Sequence, residues 1–235
     1  MERRVQPELL DALPPADPAG RRSRRDLQWI NRLMGTAGIL RRAVARSLQS
    51  RSEGSLRVAE LGSGDATLAA RVWTRLPRPP QGSVLELMDR WAVANTSALD
   101  QLRAHGWAPQ AVVQEVAGWL ALPEPPRTDL VYTNLFLHHL TPAELPGTLS
   151  RIAARTASAV FIEPRRSRFA LFGARCLGLL GCDPVTRTDA VRSVHAGFRG
   201  RELTSLWPGA EGWSVHEAAA GLFAHRFEAR RRTSA

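Results

Sequence analysis

Glycines and a carboxylate stand directly after two predicted strands, where they could hold a ligand that carries a ribose. The stretch 56–61 is short and largely apolar, and it leads into the turn Gly62-Ser63-Gly64. Glycines at that point let the backbone approach a ligand closely, and the helix that follows presents free amides. Asp89 ends the next predicted strand, 25 residues after Gly64, and a carboxylate there can accept both hydroxyls of a ribose.

Three of the six histidines lie where a side chain could take a proton from a reacting oxygen. His138 and His139 follow a predicted strand, and His195 lies in a segment predicted to cover the ligand end of the sheet. Histidine titrates near neutral pH, which suits a general base. A His-His-Leu turn also serves packing and backbone hydrogen bonding, so both interpretations of the pair stay open.

Composition limits the chemistry further. All 32 basic residues are arginine, which excludes a Schiff base, a pyridoxal phosphate mechanism and a phosphate-binding P-loop lysine. The two cysteines, Cys176 and Cys182, are too few for a disulfide framework or a four-cysteine zinc site, and we predict no metal. A length of 235 residues with 44% hydrophobic content is typical of one globular domain.

The net charge of +10 is concentrated at the two ends of the chain. Residues 1–51 hold 11 arginines against five acidic residues, and residues 226–235 hold four against one, whereas the middle is nearly neutral. Two interpretations fit this distribution: a nucleic acid bound along its phosphates, or solvated ends around a small-molecule enzyme. The seven tryptophans are spread along the chain, which argues against a stacking surface for single-stranded nucleic acid.

The elements that would position these residues alternate between strands and helices from residue 56 onward. Strands are predicted over 56–61, 83–88, 111–116, 129–133 and 157–162, with helices over 65–76, 91–105 and 141–155, and two closing strands over 213–218 and 222–226. This order predicts an α/β fold with a doubly wound, mostly parallel seven-stranded sheet whose last strand is antiparallel. Ligands bind outside the carboxyl ends of the strands in such sheets.

The N-terminal region is predicted to be helical after a short leader. Residues 12–22 are rich in proline, aspartate and glycine and are expected to be extended. Ser23–Asp26 fits a capping box, and an apolar stripe continues from there to Leu48. Gly35 and Gly38 are expected to divide this helix in two.

A second helical segment interrupts the alternation after the fifth strand. An apolar helix is predicted over 167–181, then a loop to about residue 198 and a short helix over 199–206. Its arginines and apolar residues fit a lid over the substrate, contact with a membrane surface, or a helix packed on the sheet with solvated arginines. Apolar residues surround Arg175 in the sequence, and if its side chain is buried it should need an acidic partner, for which Asp183 and Asp189 are candidates.

Together these motifs resemble the class I S-adenosylmethionine (SAM) dependent methyltransferases of the small-molecule type, with an N-terminal helical cap. The stretch Glu60–Gly64 is similar to the family's first motif, and Asp89 to its ribose-binding acid. The run DLVYTNLFLHHL at 129–140 is similar to the fourth strand with its His-His-Leu turn, and Glu163-Pro164 to the end of the fifth strand. The resemblance implies a Rossmann-like fold, methyltransferase activity and SAM as the cofactor.

The resemblance also implies which residues hold the cofactor. Glu60 would lie near the amino group of the methionine part, the loop Gly62-Ser63-Gly64 against the ligand, and Asp89 at the ribose. Glu115 would face the adenine amino group, where the family more often has aspartate. Val116 would offer its backbone amide to the adenine ring.

The last of the cofactor residues implied by the resemblance is Asn134, which would lie after the fourth strand, near the methyl group. In similar enzymes, N-terminal helices of this kind fold over cofactor and substrate, so Arg25, Asn31 and Met34 are candidate substrate residues. The chain is accordingly divided into a leader and helical cap over 1–51 and a SAM-binding domain over 52–235, which carries the lid at 165–206.

A small-molecule methyltransferase is the first hypothesis, with O-methylation of an aromatic or polyketide-like secondary metabolite as its reaction. The alternatives are an RNA or other nucleic-acid methyltransferase that uses the arginine-rich ends, and a SAM-binding protein without catalysis. No stretch approaches about 18 uncharged apolar residues, and the start lacks the apolar run of a signal peptide. We therefore expect a cytoplasmic monomer or homodimer with no membrane span and a small-molecule acceptor.

Overall fold

The computed structural model describes residues 1–49, 54–121 and 127–232. Its strands are β1 (Arg57–Leu61), β2 (Val84–Asp89), β3 (Ala108–Val113), β4 (Thr128–Asn134), β5 (Thr156–Pro164), β6 (Trp213–Ala220) and β7 (Ala224–Arg231). Its helices are α1 (Leu9–Ala12), α2 (Pro18–Leu33), α3 (Thr36–Leu48), α4 (Thr67–Trp73), α5 (Thr96–Ala104), α6 (Val116–Ala121), α7 (Glu144–Arg155), α8 (Arg168–Cys176), α9 (Pro184–Ala196) and α10 (Glu202–Leu206). Short 3-10 turns cover Leu137–His139, Leu177–Leu180 and Ala210–Gly212.

The seven strands form one sheet in the order β3-β2-β1-β4-β5-β7-β6. Strands β1 to β5 pair in parallel, and β7 runs antiparallel to both of its neighbours, β5 and β6. The predicted fold class is confirmed. The strand order reverses between β1 and β4, and a ligand crevice forms at such a switch point, outside the carboxyl ends of the strands.

Each face of the sheet carries its own apolar core. Val58, Leu85 and Leu130 pack with α3, α4 and α5 on one face, and Phe161 and Phe227 pack with α6, α7 and α10 on the other. The rings of Phe161 and Phe227 stack with their centroids 5.2 Å apart. Burial on both faces holds the strands rigidly, so residues at their carboxyl ends have fixed positions.

The N-terminal helix begins earlier than the sequence predicts. The carboxylate of Asp17 accepts a hydrogen bond of 2.9 Å from the amide of Gly20, and Pro18 occupies the first turn of α2. An aspartate cap followed by proline is a stronger start than the predicted box at Ser23–Asp26, so the expectation of an extended leader over 12–22 is wrong. Gly35, at φ +65°, separates α2 from α3 as predicted.

Two other elements differ from the sequence prediction. β3 lies three residues earlier than predicted because Pro109, whose ring cannot donate to a ladder, is tolerated on this edge strand, where it pairs with Leu85. The segment before residue 198 was predicted to be a loop but contains α9. This helix begins at Pro184, and the side chain of Asp183 caps it by accepting from the amide of Val185. Among the described residues, no helix is both long and apolar enough to cross a membrane.

Candidate functional site

A cavity of about 840 Å³ opens at the carboxyl ends of β1, β2, β3 and β4. Loops that follow these strands form one wall, which we call the strand-end wall. The N-terminal segment 5–11 and one face of α2 form the opposite wall, which we call the N-terminal cover. The cavity thus lies at the switch point of the sheet, where this fold binds ligands.

The glycine turn after β1 is fastened to β2 by its backbone. The amides of Gly62 and Ser63 both donate to the carbonyl oxygen of Met88, at 2.9 and 2.8 Å. Gly62 and Gly64 have φ values of +73° and +55°, which favour glycine. A Cβ on Gly62 would come within 3.0 Å of the Phe136 ring. The turn therefore needs glycine and presents a bare backbone to the cavity.

Asp89 is held in place at the end of β2. One carboxylate oxygen accepts from the amide of Gly64 and the other from the amide of Trp91, both at 2.9 Å. Each oxygen keeps a free lone pair, because a carboxylate offers about four acceptor positions. The carboxylate is therefore a fixed acceptor that can take two further donors from a ligand in the cavity.

Glu60 presents a buried carboxylate at the floor of the cavity. Its side chain accepts 2.8 Å from the hydroxyl of Tyr132, which in turn accepts 3.0 Å from the indole nitrogen of Trp73. Burial raises the pKa of Glu60 to about 8, against the opposing hydrogen bond from Tyr132 and with the help of the charges on Asp65 and Asp89. A cation beside Glu60 would favour its ionised form.

The other cofactor positions predicted from the sequence also lie in the strand-end wall. Glu115 and Val116 line the cavity. The sequence placed both in the third strand, but β3 ends at Val113 and α6 begins at Val116. Asn134 ends β4, and its side-chain oxygen is buried without a hydrogen-bond partner among the described residues. Leu135 follows at φ +57°, a conformation rare for a residue with a Cβ. Such strain is typical of functional turns.

A buried carboxylate from β5 organises this turn after β4. Glu163 is fully buried and accepts from the amides of Phe136 and Leu137, at 3.1 and 2.8 Å, and from the hydroxyl of Thr133 at 3.2 Å. Burial acts to raise the pKa of Glu163, but hydrogen bonds and the charge of the neighbouring His138 outweigh it and lower the pKa. The end of the fifth strand therefore shapes the end of the fourth.

His138 lies between two carboxylates behind the cavity. Its Nδ1 is 2.8 Å from Glu163 and its Nε2 is 3.2 Å from Glu8, and the ring is buried. Burial acts to lower the pKa of His138, but the hydrogen bonds and charges of the two carboxylates raise it to about 9. Both nitrogens are engaged and the residue does not line the cavity, so His138 has the geometry of a charged structural link.

His139, the next residue, lines the cavity. Its Nδ1 lies 3.0 Å from a carboxylate oxygen of Asp11, and its Nε2 lies 4.0 Å from a carboxylate oxygen of Glu8. Asp11 also contacts Arg90 at 2.9 Å. Asp11 therefore holds the Nδ1 side of the ring at the wall of the cavity.

Glu8, His138 and His139 bring three atoms of metal-ligand type within 4.8 Å of one another. Glu8 uses Oε1 to accept from His138 and from the hydroxyl of Ser193, and its Oε2 faces His139 at 4.0 Å. The third histidine candidate, His195, lies on α9 and does not line the cavity; its carbonyl oxygen accepts 3.0 Å from the amide of Arg4.

Polar contacts fasten the N-terminal segment across the cavity. Arg3 donates to the carbonyl oxygens of Ala196 and Leu140, at 2.8 and 2.9 Å, and its guanidinium lies 4.8 Å from the centre of the Phe198 ring. The amides of Leu9 and Leu10 donate to the carboxylate of Asp189, at 2.8 Å each. The sequence contains no local signal for these contacts, since the partners lie well over a hundred positions apart.

One face of α2 completes the cover. Arg24, Leu27, Gln28 and Asn31 line the cavity at the spacing of one helix face. Gln28 also donates to Asp65 in the opposite wall. Of the three predicted substrate residues, Asn31 lines the cavity, while Arg25 is exposed on the outer face and Met34 packs against the core with α3. Arg24 and Gln28 were missed because the apolar stripe alone did not fix which turn of the helix faces the ligand.

The segment 165–206, predicted to be a lid, contributes no lining residue among those that the structure describes. It instead anchors the N-terminal cover through Asp189 and Ala196. Arg166 is buried and pairs with Glu202. Arg175 is exposed and therefore needs no acidic partner; the buried residues of α8 are Ala170 and Ala174.

The sequence matches no protein-family model and no curated protein. The fold is nevertheless similar to solved methyltransferases. The plantazolicin methyltransferase BpumL in complex with SAH is 10% identical with a TM-score of 0.65, over 92% of each chain. Magnesium protoporphyrin IX methyltransferase (ChlM) from Synechocystis PCC 6803 with bound SAH is 15% identical with a TM-score of 0.53, over 85% of this chain and 83% of that one.

An O-methyltransferase family protein from Burkholderia thailandensis is also similar, at 16% identity and a TM-score of 0.50, over 77% of this chain and 52% of that one. At these identities the likeness concerns the fold. The chain therefore has the Rossmann-like fold of SAM-dependent methyltransferases, and the resemblance drawn from its motifs is confirmed at that level.

Proposed function

We propose that this protein is a SAM-dependent methyltransferase that acts on a small molecule. The observation that carries the proposal is the geometry of the strand-end wall, in which a bare glycine turn and two carboxylates, Glu60 and Asp89, face one cavity at the switch point of the sheet. Structural neighbours with this fold are solved with SAH or SAM bound.

The residues present fit SAM in their chemistry. Asp89 has free lone pairs for two ribose hydroxyls, and the glycine turn allows close approach. Glu60, whose pKa burial raises to about 8, gains a counter-charge from an ammonium group. The unpartnered oxygen of Asn134 gains a donor. The division of these roles follows the resemblance: Glu60 for the methionine part, Asp89 for the ribose, Glu115 and Val116 for adenine.

SAM supplies an activated methyl group on a sulfonium, and transfer of that group is an in-line displacement. The chain's own part is to position the acceptor and to exclude water. The N-terminal cover closes the cavity opposite the strand-end wall, and Gln28 joins the two walls through Asp65. An acceptor held between them would meet the end of β4 at Asn134.

We assign the proton transfer to His139. It lines the cavity, and Asp11 at 3.0 Å from Nδ1 orients the ring so that Nε2 can take a proton from an acceptor hydroxyl. Asp11 is a positioning residue, because it acts through His139. His138 and His195, the other two candidates from the sequence, lack access to the cavity.

The acceptor is proposed to be a small molecule with an apolar or aromatic body and a hydroxyl, as in an aromatic or polyketide-like metabolite. Apolar side chains from both walls, Leu10, Leu27, Leu68, Phe136 and Leu140, support an apolar body. Two of the structural neighbours are methyltransferases whose names give plantazolicin and magnesium protoporphyrin IX rather than RNA or DNA.

The nucleic-acid alternative loses support because several terminal arginines have partners inside the protein. Arg3 binds backbone carbonyls, Arg46 pairs with Glu228 at 2.6 Å, and Arg231 donates 2.6 Å to the carbonyl of Ala153. These side chains are not free to follow phosphates, so the basic ends are weaker evidence for RNA than their charge suggests.

The proposal is tested by incubating the protein with trideuteromethyl SAM and small-molecule or RNA fractions of a bacterial extract. Mass spectrometry then finds the product that carries the deuterated methyl group. We expect a labelled small molecule, and none with the His139→Gln protein. Label in RNA would replace the proposal by its alternative, and SAH binding without any labelled product would support a non-catalytic SAM-binding protein.

A further inference from the structure

The helix α8 and the 3-10 turn after it present large apolar side chains to solvent. Phe172 is 66% exposed and Leu179 is 87% exposed, while Phe169 and Leu180 are each 54% exposed. We call these four residues the α8 face. Single exposed apolar residues are common, but four within twelve positions form the kind of cluster that marks a binding surface.

The burial pattern of α8 differs from that of an ordinary surface helix. Its two buried side chains are small, since Ala170 and Ala174 pack against Val194 of α9, with Leu171 partly buried beside them. The bulky phenylalanines face outward instead. A surface helix of a globular protein normally buries its largest apolar residues. The exposed phenylalanines of α8 therefore indicate that this helix contacts a binding partner as well as the core.

The α8 face extends to the turn between β6 and β7. The ring of Phe223 stacks on Phe169 with centroids 5.6 Å apart, and Leu222 beside it is 59% exposed. The surface thus joins two separate parts of the chain, which makes it a patch of the folded protein rather than one loose helix.

The charged residues within the segment that carries this face are all arginine. Arg168 and Arg175 are exposed on α8, and the stretch 164–182 contains four arginines and no aspartate or glutamate. Apolar side chains set among cations of one sign are typical of elements that lie in the headgroup region of an anionic membrane.

We propose that the α8 face docks on the surface of a bilayer that contains anionic lipids. The phenylalanines and leucines enter the headgroup boundary while Arg168 and Arg175 contact lipid phosphates. A second copy of the chain fits less well, because symmetric pairing would bring the same two arginines together. The surface is separate from the cavity, so the inference holds independently of the proposed function.

The test is sedimentation of the purified full chain with vesicles of phosphatidylcholine, alone or mixed with phosphatidylglycerol. We expect binding to the mixed vesicles that weakens as salt increases. Replacing Phe172 and Leu179 together by serine lowers the partition coefficient at least about tenfold. Arg168→Gln and Arg175→Gln each lower it about fivefold.

The matched control is Val113→Ser, which removes another exposed apolar side chain at the far edge of the sheet and is expected to bind vesicles like the wild type. Circular dichroism checks that the variants are folded. Absence of wild-type binding to the mixed vesicles overturns the inference, as does unchanged binding by the Phe172→Ser, Leu179→Ser protein. A concentration-dependent dimer in light scattering, lost in that protein while vesicles go unbound, would assign the face to self-association instead.

Discussion

The two walls of the cavity are built by different means. The strand-end wall consists of short loops whose positions follow from the register of buried strands, and its key contacts join neighbours such as Gly64 and Asp89. The N-terminal cover has little core of its own and is held by polar contacts to distant residues, such as Arg3 to Leu140 and Leu9 to Asp189. The strand-end wall is therefore fixed by the sheet, whereas the N-terminal cover depends on side-chain contacts that single substitutions can remove.

The two walls meet at two adjacent histidines. His138 ties the cover, through Glu8, to Glu163 beneath the turn after β4, whereas His139 turns into the cavity. The two adjacent histidines thus have different roles: His138 is buried and links two carboxylates, whereas His139 faces the cavity, where we propose that it transfers a proton. Four substitutions test this division and the contrast between the walls.

The largest effect is expected for His139→Gln. Removing a general base lowers kcat by about 100-fold to 10,000-fold. The affinity for SAH should stay as in the wild type, because the glycine turn, Glu60 and Asp89 are unchanged. His195→Gln is the matched control, since that ring lies outside the cavity. Steady-state rates on the identified acceptor measure both, and an unchanged kcat in the His139 variant would remove it from the mechanism.

His138→Gln should instead reduce the free energy of unfolding, by about 3 kcal/mol, because it leaves buried carboxylates without their cation. The pKa of His138 is about 9 in the folded protein, above its ordinary value of 6.5. The stabilisation that its charge provides is therefore complete below pH 6.5 and is lost as the pH rises through about 9. Urea denaturation at a series of pH values measures this. If the wild type exceeds the variant in free energy of unfolding by the same amount at high pH as at pH 6, His138 is not a charged link.

Glu60→Gln separates ionisation from shape in the strand-end wall. Because burial raises the pKa of Glu60 to about 8, the carboxyl is largely protonated at pH 7 and must release its proton to hold an ammonium group. Calorimetry of SAH binding in buffers of different ionisation enthalpy should show that release in the wild type only. The variant should bind about tenfold more weakly. If the binding enthalpy depends on the buffer equally in both proteins, the released proton comes from a group other than Glu60.

Arg3→Ala is expected to have the smallest effect, on the cover alone. It removes hydrogen bonds to Ala196 and Leu140, and we expect KM for the acceptor to rise about threefold to tenfold with the SAH affinity unchanged. Arg4→Ala is the control, because that exposed side chain pairs with the exposed Glu2. A loss of SAH binding in the Arg3 variant would show that the two walls are not independent.

The contrast between the walls also explains what the sequence could predict. The glycine turn and Asp89 follow strands with clear apolar patterns, so their meeting at one edge follows from the parallel order of the sheet. The inward face of α2 was placed incorrectly at Arg25 and Met34, because the helix begins at Pro18 and its orientation depends on packing.

Glu8 and Asp11 could not be found from the sequence at all. They lie in a segment with no apolar period, and their partners His138 and His139 are more than a hundred residues away. Such contacts depend on the tertiary path of the chain rather than on local propensity. The same holds for α9, whose start at Asp183-Pro184 carries a cap signal but whose weak apolar periodicity resembles a loop.

The central claim is that the strand-end wall binds SAM through Asp89, and isothermal titration with SAH tests it most directly. We expect one SAH per chain for the wild type and a Kd at least about 100-fold higher for Asp89→Ala, since two charge-assisted hydrogen bonds are lost. Asp100→Ala is the matched control, because that exposed acid pairs with Arg103 on α5, outside the cavity wall. No binding by the folded wild type, or equal affinity in the Asp89→Ala protein, would contradict the account.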